Sequence, residues 1–345
     1  MSADLKAPHS RPRLAVPAGA CDCHMHVFGP RERYPYAAAR TYTPRPAPLA
    51  DYLAMASTLR LGRVVFVQPS AYGGDNRCLL DAMREVGPSA RGVIGLDATA
   101  THAALREMER LGVRGVRLNV ASRGFRDAAR IADMVRATAA RIAALGWHLQ
   151  LFTDLEVIES LAETFRRAPV PIVIDHMGLA AAALGPAQPG FAALLALLSE
   201  GCCWVKLSGS YRISRQEPDF PDAAPMARAL IAANPDRVLW GTDWPHTAGH
   251  GHAQQAEPPL IEYRQLDDGR LIDLLADWTD DEATVGRILV HNPARLYGFG
   301  TSANCHSMIA LSGKARPQSR IRTPSANPSP TLLGCGRRAP CSNGR

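Results

Sequence analysis

Short apolar runs recur along the chain, separated by longer amphipathic stretches. The runs are ACDCHMHV, RVVFVQ, RGVIGLD, VRGVRLN, HLQLFT, PIVIDHMG, CWVKLSG and RVLWGTD. Their length and Val/Ile/Leu content predict strands buried on both faces. Between them, stretches such as PLADYLAMASTLRLG, DNRCLLDAMREVG, THAALREMERLG and DAARIADMVRATAARIAALG predict helices, several stopping at Gly or Asn-Pro. Strands alternating with helices predict the α/β class, as a parallel (β/α)8 TIM barrel. A doubly wound sheet is the alternative, but it would carry a Gly-rich phosphate loop after its first strand; none follows HMHV. Two further helical stretches, at about 260–276 and 280–296, follow the eighth strand. The barrel is therefore expected over 18–300, after an N-terminal extension at 1–17.

Composition changes this picture mainly at the C-terminus. Hydrophobic residues make up 46% of the chain, enough for a large core, and no apolar run is long enough to span a membrane. The first twenty residues lack the apolar segment of a secretory signal, so a cytoplasmic location is expected. The net charge of +7 resembles that of a nucleic-acid binder, but seven basic and no acidic residues lie beyond Gly300. The barrel segment is neutral, so no nucleic-acid partner is expected. Residues 301–345, rich in Ser, Pro, Gly and Arg, are predicted to be a disordered basic tail. The eight cysteines form no Cys-x-x-Cys pair and are predicted to be free thiols. The sequence carries no sign of oligomeric state.

In such a barrel, chemistry gathers at the C-terminal ends of the strands. The polar residues there are His24 and His26 (strand one), Gln68 and Ser70 (two), and Arg117, Asn119 and Arg123 (four). Strand six adds Asp175 and His176, strand seven Ser208, Ser210 and Arg212, and strand eight Asp243, Trp244 and His246. His24 and His26 share a face, and a regular strand would add Asp22. Asp175 is open between a site role and an ion pair with a neighbouring helix. Each arginine is open between a ligand and a rim carboxylate such as Asp127 or Glu217. His148, at the opposite end of strand five, is expected to be structural. His246 reads as a helix cap, His250 and His252 as loop residues, and His291 as packing on the barrel. His24, His26, His176 and Asp243 at one end of three strands form the candidate catalytic group.

DCHMH on strand one and WGTDWPH on strand eight resemble the amidohydrolase superfamily, and HNPARLYGF resembles the end of its amidohydrolase-2 branch. With VQPSAYGGDNRCLLDA, GVRGVRLN and VIDHMG, the set looks closest to the 2-pyrone-4,6-dicarboxylate lactonase group. The resemblance implies a hydrolase of aromatic degradation that opens a small anionic lactone. It implies catalytic roles for His24, His26, His176 and Asp243, and substrate-carboxylate contacts at Tyr42, Ser70, Arg117, Arg123 and Arg212. The group's strand-five tyrosine is missing; Leu151 or Phe152 stands there.

Binuclear relatives need a carboxylated lysine and histidines on middle strands. Strands four and five end in neither, and Lys206 within strand seven is out of register for a bridging role. One divalent ion such as zinc on His24, His26, His176 and Asp243 suits the ligand chemistry, while the resemblance implies that none is required. In the metal-free scheme the three histidines donate to the oxyanion and Asp243 takes a proton from water. A sugar-acid (aldarolactone) lactonase or isomerase, favoured by the missing tyrosine and by Gln150, is the alternative. A non-catalytic binding barrel is a third reading, weakened by the intact residue set.

Overall fold

The computed structural model describes residues 9–121, 124, 126–247 and 258–300. Arg123, His250, His252 and the 301–345 tail lie outside them. Eight parallel strands, with helices between them, form a (β/α)8 barrel. They are β1 (Cys21–Met25), β2 (Arg63–Val67), β3 (Ala90–Ile94), β4 (Val113–Asn119), β5 (His148–Phe152), β6 (Ile172–Ile174), β7 (Cys203–Leu207) and β8 (Val238–Trp240). Each pairs with the next in sequence. Among the described residues no helix is long and apolar enough to cross a membrane.

Alternation along each strand separates two cores. Val64, Phe66, Val116, Leu149, Leu151, Ile172, Ile174, Val205 and Leu207 face the helices. Cys21, Cys23, Val65, Val67, Val93, Val173, Trp204 and Leu239 fill the lower barrel, closed by Tyr297 and Phe299. His148 belongs to this floor. A Cβ on Gly115 would come within 2.3 Å of its ring, which accounts for the glycine inside β4.

The seam between β8 and β1 matters most for function. Met25 bridges Trp244, the His26 amide donates to the Trp244 carbonyl at 2.8 Å, and the Asp243 amide to the His24 carbonyl at 2.7 Å. These bonds hold the His-x-His segment in register with Asp243. The β1–β2 ladder shifts register between Asp22 and Met25. This bulge breaks the face shared by Asp22 and His24. Cys21 and Cys23 point into the barrel, and so does His24. The Asp22 carboxylate instead ties the seam, accepting from the Thr242 amide (3.0 Å) and hydroxyl (2.6 Å), the His24 amide and the Tyr52 hydroxyl. Asp22 therefore does not join the histidines.

The helix expected over 260–276 spans Asp268–Trp278, because Asp267 supplies the cap that starts it. Leu260–Ile261 instead pairs with Thr43–Pro44 as a short parallel strand. The second stretch is broken into Glu282–Gly286, a π-helical turn over Arg287–His291 and Asn292–Tyr297. His291 is exposed rather than packed on the barrel. Part of the N-terminal extension docks on the helix Asp268–Trp278: the Arg13 and Leu14 amides donate to Asp273. Cys21, Cys23, Cys78, Cys202 and Cys203 are free.

Candidate active site

Side chains from β1, β4, β5, β6, β7 and β8 converge above the apolar floor. His24, His176 and Asp243 are fully buried and His26 nearly so. The His24 ring centroid lies 5.0 Å from that of His26 and 4.6 Å from that of His176. His24 Nε2 and His26 Nε2 stand 3.7 and 3.6 Å from Asp243 Oδ1, and His176 Nε2 stands 3.8 Å from Oδ2. His176 and Asp243 both have left-handed backbones, with φ of 51° and 62°. Tight turns at the ends of β6 and β8 thus aim these side chains inward.

The two aspartates differ in what surrounds them. Asp243 Oδ2 accepts from Arg212 Nε at 2.5 Å and the Tyr211 hydroxyl at 2.7 Å. Its Oδ1 has no hydrogen-bond donor among the described residues. Asp175 Oδ2 accepts from Arg117 Nε and Gln150 Nε2, both at 3.1 Å. Its Oδ1 is flanked by His24 Nδ1 at 3.2 Å and Lys206 Nζ at 3.5 Å. Burial pushes both carboxyls up, but the neighbours outweigh it. Arg212 and His176 hold Asp243 well below the usual carboxylate range; His24, Lys206 and Arg117 do the same for Asp175. Burial lowers the histidines, His176 to about 3, so all three are neutral near pH 7.

Arg117 and Arg212 face inward rather than pairing at the rim. Asp127 caps a helix and Glu217 pairs with Arg264. Arg117 pairs with Asp175, and Arg212 with Asp243 and the Thr247 hydroxyl. Low-dielectric burial makes the inner carboxylates the stronger partners. Asp175 is accordingly a site residue rather than the partner of a neighbouring helix. Tyr42 is buried and hydrogen-bonds Ser70, close to Arg117 and Arg212. At strand five it is Phe152 that faces the site, with Arg117 and Arg212 guanidinium carbons 5.3 and 5.8 Å from its ring and His176 edge-on. Leu151 faces the helices. His246 is not a helix cap: its Nε2 bonds the side chain of the buried Asp268 at 3.1 Å, in a helix capped by Asp267.

Sequence reading missed Tyr211 and the inward Lys206. Lys206 shares strand parity with Ser208, so period-two alternation was the available signal. Gln150 bonds Lys206 and Asp175, so it does not reach toward a sugar-like substrate.

His24, His26 and Asp243 each offer one atom to a common centre, close enough to hold a metal ion. The donor set, two imidazoles and a carboxylate with a third imidazole beside them, fits a single divalent ion such as zinc. The unpartnered buried Nε2 atoms of His24 and His176 and Asp243 Oδ1 agree with that fit.

The amidohydrolase family profile matches residues 21–299. The chain is 36% identical over 290 residues to a 4-sulfomuconolactone hydrolase of Hydrogenophaga intermedia (83% of this chain, 91% of that one). It is 35% identical over 303 residues to a 2-pyrone-4,6-dicarboxylate hydrolase of Comamonas testosteroni (85% and 95%). A D-galactarolactone isomerase of Agrobacterium fabrum is 30% identical over 295 residues (85% and 95%). The crystal structure of a candidate 2-pyrone-4,6-dicarboxylic acid hydrolase from Pseudomonas putida superimposes with a TM-score of 0.69 at 33% identity, covering 84% of this chain and all of that one. With the profile spanning nearly the whole barrel, the chain belongs to the amidohydrolase family.

Proposed function

We propose that this protein opens the ring of a lactone carrying one or more carboxylates, of the 2-pyrone-4,6-dicarboxylate kind, by hydrolysis. The observation that carries the reading is the Oδ1 of Asp243, without a hydrogen bond among the described residues, facing His24 Nε2 and His26 Nε2 beside two partly buried arginines. His26 Nδ1 lies 2.7 Å from the Val67 carbonyl, which only accepts. Its proton is therefore on Nδ1, and neutral His26 presents a bare Nε2. On this reading His26 serves as an acceptor, and the oxyanion donors are left to the other two histidines.

A water held by His26 Nε2 and Asp243 Oδ1 has both hydrogens directed at acceptors and a lone pair free for the carbonyl. Asp243 takes its proton as the tetrahedral intermediate forms and returns it to the leaving ring oxygen. His176, whose Nδ1 lies 2.9 Å from the Ser208 hydroxyl, can present an Nε2 proton to the oxyanion. The parts of Arg117 and Arg212 not engaged by Asp175 and Asp243, together with Tyr42, Ser70 and Arg123, receive the substrate carboxylates. A divalent ion on His24, His26, His176 and Asp243 would supply Lewis-acid polarisation of the carbonyl. The proton transfers above belong to the chain's own groups.

A panel of anionic lactones followed by acid release tests the reading: the expected result is turnover of at least one dicarboxylated pyrone or muconolactone-type ring. Turnover confined to aldarolactones would favour the sugar-acid lactonase or isomerase reading. The apolar Phe152 in place of a hydroxyl on strand five is the observation for that alternative. No turnover across the panel would sink both.

A further inference from the structure

The two histidines of the His-x-His segment meet different partners at their Nδ1 atoms. His26 Nδ1 faces a carbonyl, which only accepts. His24 Nδ1 lies between Lys206 Nζ at 3.4 Å, which as an ammonium only donates, and Asp175 Oδ1 at 3.2 Å, which only accepts. Which neighbour prevails decides what His24 presents to the reaction centre.

We propose that Lys206 is a positioning residue that selects the tautomer of His24: its ammonium donates to Nδ1, and the one remaining ring proton sits on Nε2. The donor count supports this. An ammonium has three N–H bonds and no acceptor. Three acceptors surround Nζ: Gln150 Oε1 at 2.7 Å, His24 Nδ1 at 3.4 Å and Asp175 Oδ1 at 3.5 Å. Gln150 is oriented for its part, because its amide nitrogen donates to Asp175 Oδ2. Asp175 is the competing partner at Nδ1, nearer to it than Lys206 is. Its Oδ1 has no aligned hydrogen bond despite the short approach, and its charge is met by Arg117 and Lys206.

The far end of the ring points the same way. His24 Nε2 and Asp243 Oδ1 face each other at 3.7 Å, and neither makes a hydrogen bond among the described residues, while His26 Nε2 stands 3.6 Å from the same Oδ1. With His26 Nε2 bare, a bare His24 Nε2 would leave Asp243 Oδ1 between two acceptors; a proton on His24 Nε2 gives it a donor. The pair then presents one lone pair, from His26, and one N–H, from His24. Under the proposed lactone chemistry, on which this consequence rests, His26 holds the water and His24 joins His176 in stabilising the oxyanion. A divalent ion needs a bare Nε2 on His24, so Lys206 also opposes metal uptake at this ring.

The test is the 15N spectrum of histidine-labelled, chelator-treated full-length protein, with His24 signals identified by their loss in His24→Gln. The expected result is an Nε2–H pattern for His24 and an Nδ1–H pattern for His26. Lys206→Met, close in volume, should convert His24 to Nδ1–H. It should also lower kcat on an anionic lactone by about 10²-fold, the size of one lost preorganised donor, with KM within about twofold. An Nδ1–H pattern for His24 in the wild type overturns the proposal, as does Lys206→Met with unchanged His24 signals. The tautomer readout requires no substrate and no turnover, so it can fail independently of the lactonase reading.

Discussion

Asp175 and Asp243 lie on opposite sides of His24, each buried and each paired with an arginine through Nε. Both are held far below the usual carboxylate range, so acidity does not tell them apart. Their free oxygens do. Asp175 too has one oxygen without a hydrogen bond, but that oxygen is hemmed in by Lys206 and His24 while the other accepts from Arg117 and Gln150. Asp243 commits one oxygen to Arg212 and Tyr211 and leaves the other toward the histidines. A carboxylate acts as a base through whatever lone pair its neighbours leave open. On the proposed reading, Asp175 shapes the site from beneath and Asp243 reacts.

The largest expected effect breaks this comparison at the reactive end. Asp243→Asn should cost roughly 10²–10⁴-fold in kcat with circular dichroism unchanged. Near wild-type turnover would remove Asp243 from the mechanism. Next comes the substrate charge. Arg117→Met should raise KM for an anionic lactone about ten- to a hundredfold, for lost charged hydrogen bonds of about 1.5–3 kcal/mol. A neutral lactone of similar size should be nearly unaffected; equal losses on both would mean that Arg117 only braces Asp175.

The pH dependence of stability has a definite sign. The buried histidines have folded pKa values below their unfolded value, about 3 for His148 and His176. Their contribution is complete above the unfolded value, near 6.5, and is lost progressively toward pH 3 as the unfolded chain takes up protons. The two aspartates add a further loss below about pH 4 by the same rule. Urea unfolding should therefore show stability falling from pH 7 to pH 5, by up to about 1.4 kcal/mol per pH unit for each such histidine. A flat profile across that interval would contradict neutral burial.

The smallest expected effect concerns metal. Arg117, Arg212 and Lys206 already outnumber the two aspartates among the charges at the site, so an added dication meets repulsion. Chelator treatment is expected to leave turnover within about twofold. Loss of activity restored by zinc would show that the His24, His26, His176 and Asp243 set works as a metal centre.

Much of this was legible from period and position. Eight apolar runs and their intervening helices specify the barrel, and strand-end parity brings His24, His26, His176 and Asp243 to one mouth. What was not legible depends on partners distant in sequence. The bulge that turns Asp22 away from His24 arises where β1 closes against the segment after β8, which no local pattern encodes. Arg117 and Arg212 were read against nearby rim carboxylates, but they pair with Asp175 and Asp243 from other strands. Lys206 sits mid-strand, where a cation is unexpected until a carboxylate and an amide from β5 and β6 are seen to surround it. The helix at Asp268 starts late because a single cap, Asp267, decides it.

The measurement closest to the central claim is chemical rescue. Asp243→Ala leaves a small cavity beside Arg212, where a formate ion can supply the missing carboxylate oxygen. Formate should restore part of the lost kcat in Asp243→Ala, saturably and beyond what chloride does. It should restore none in Asp175→Ala, whose damage is to positioning. Rescue of Asp175→Ala by formate, or a folded Asp243→Ala that formate leaves inert, would contradict the assignment of Asp243 as the base.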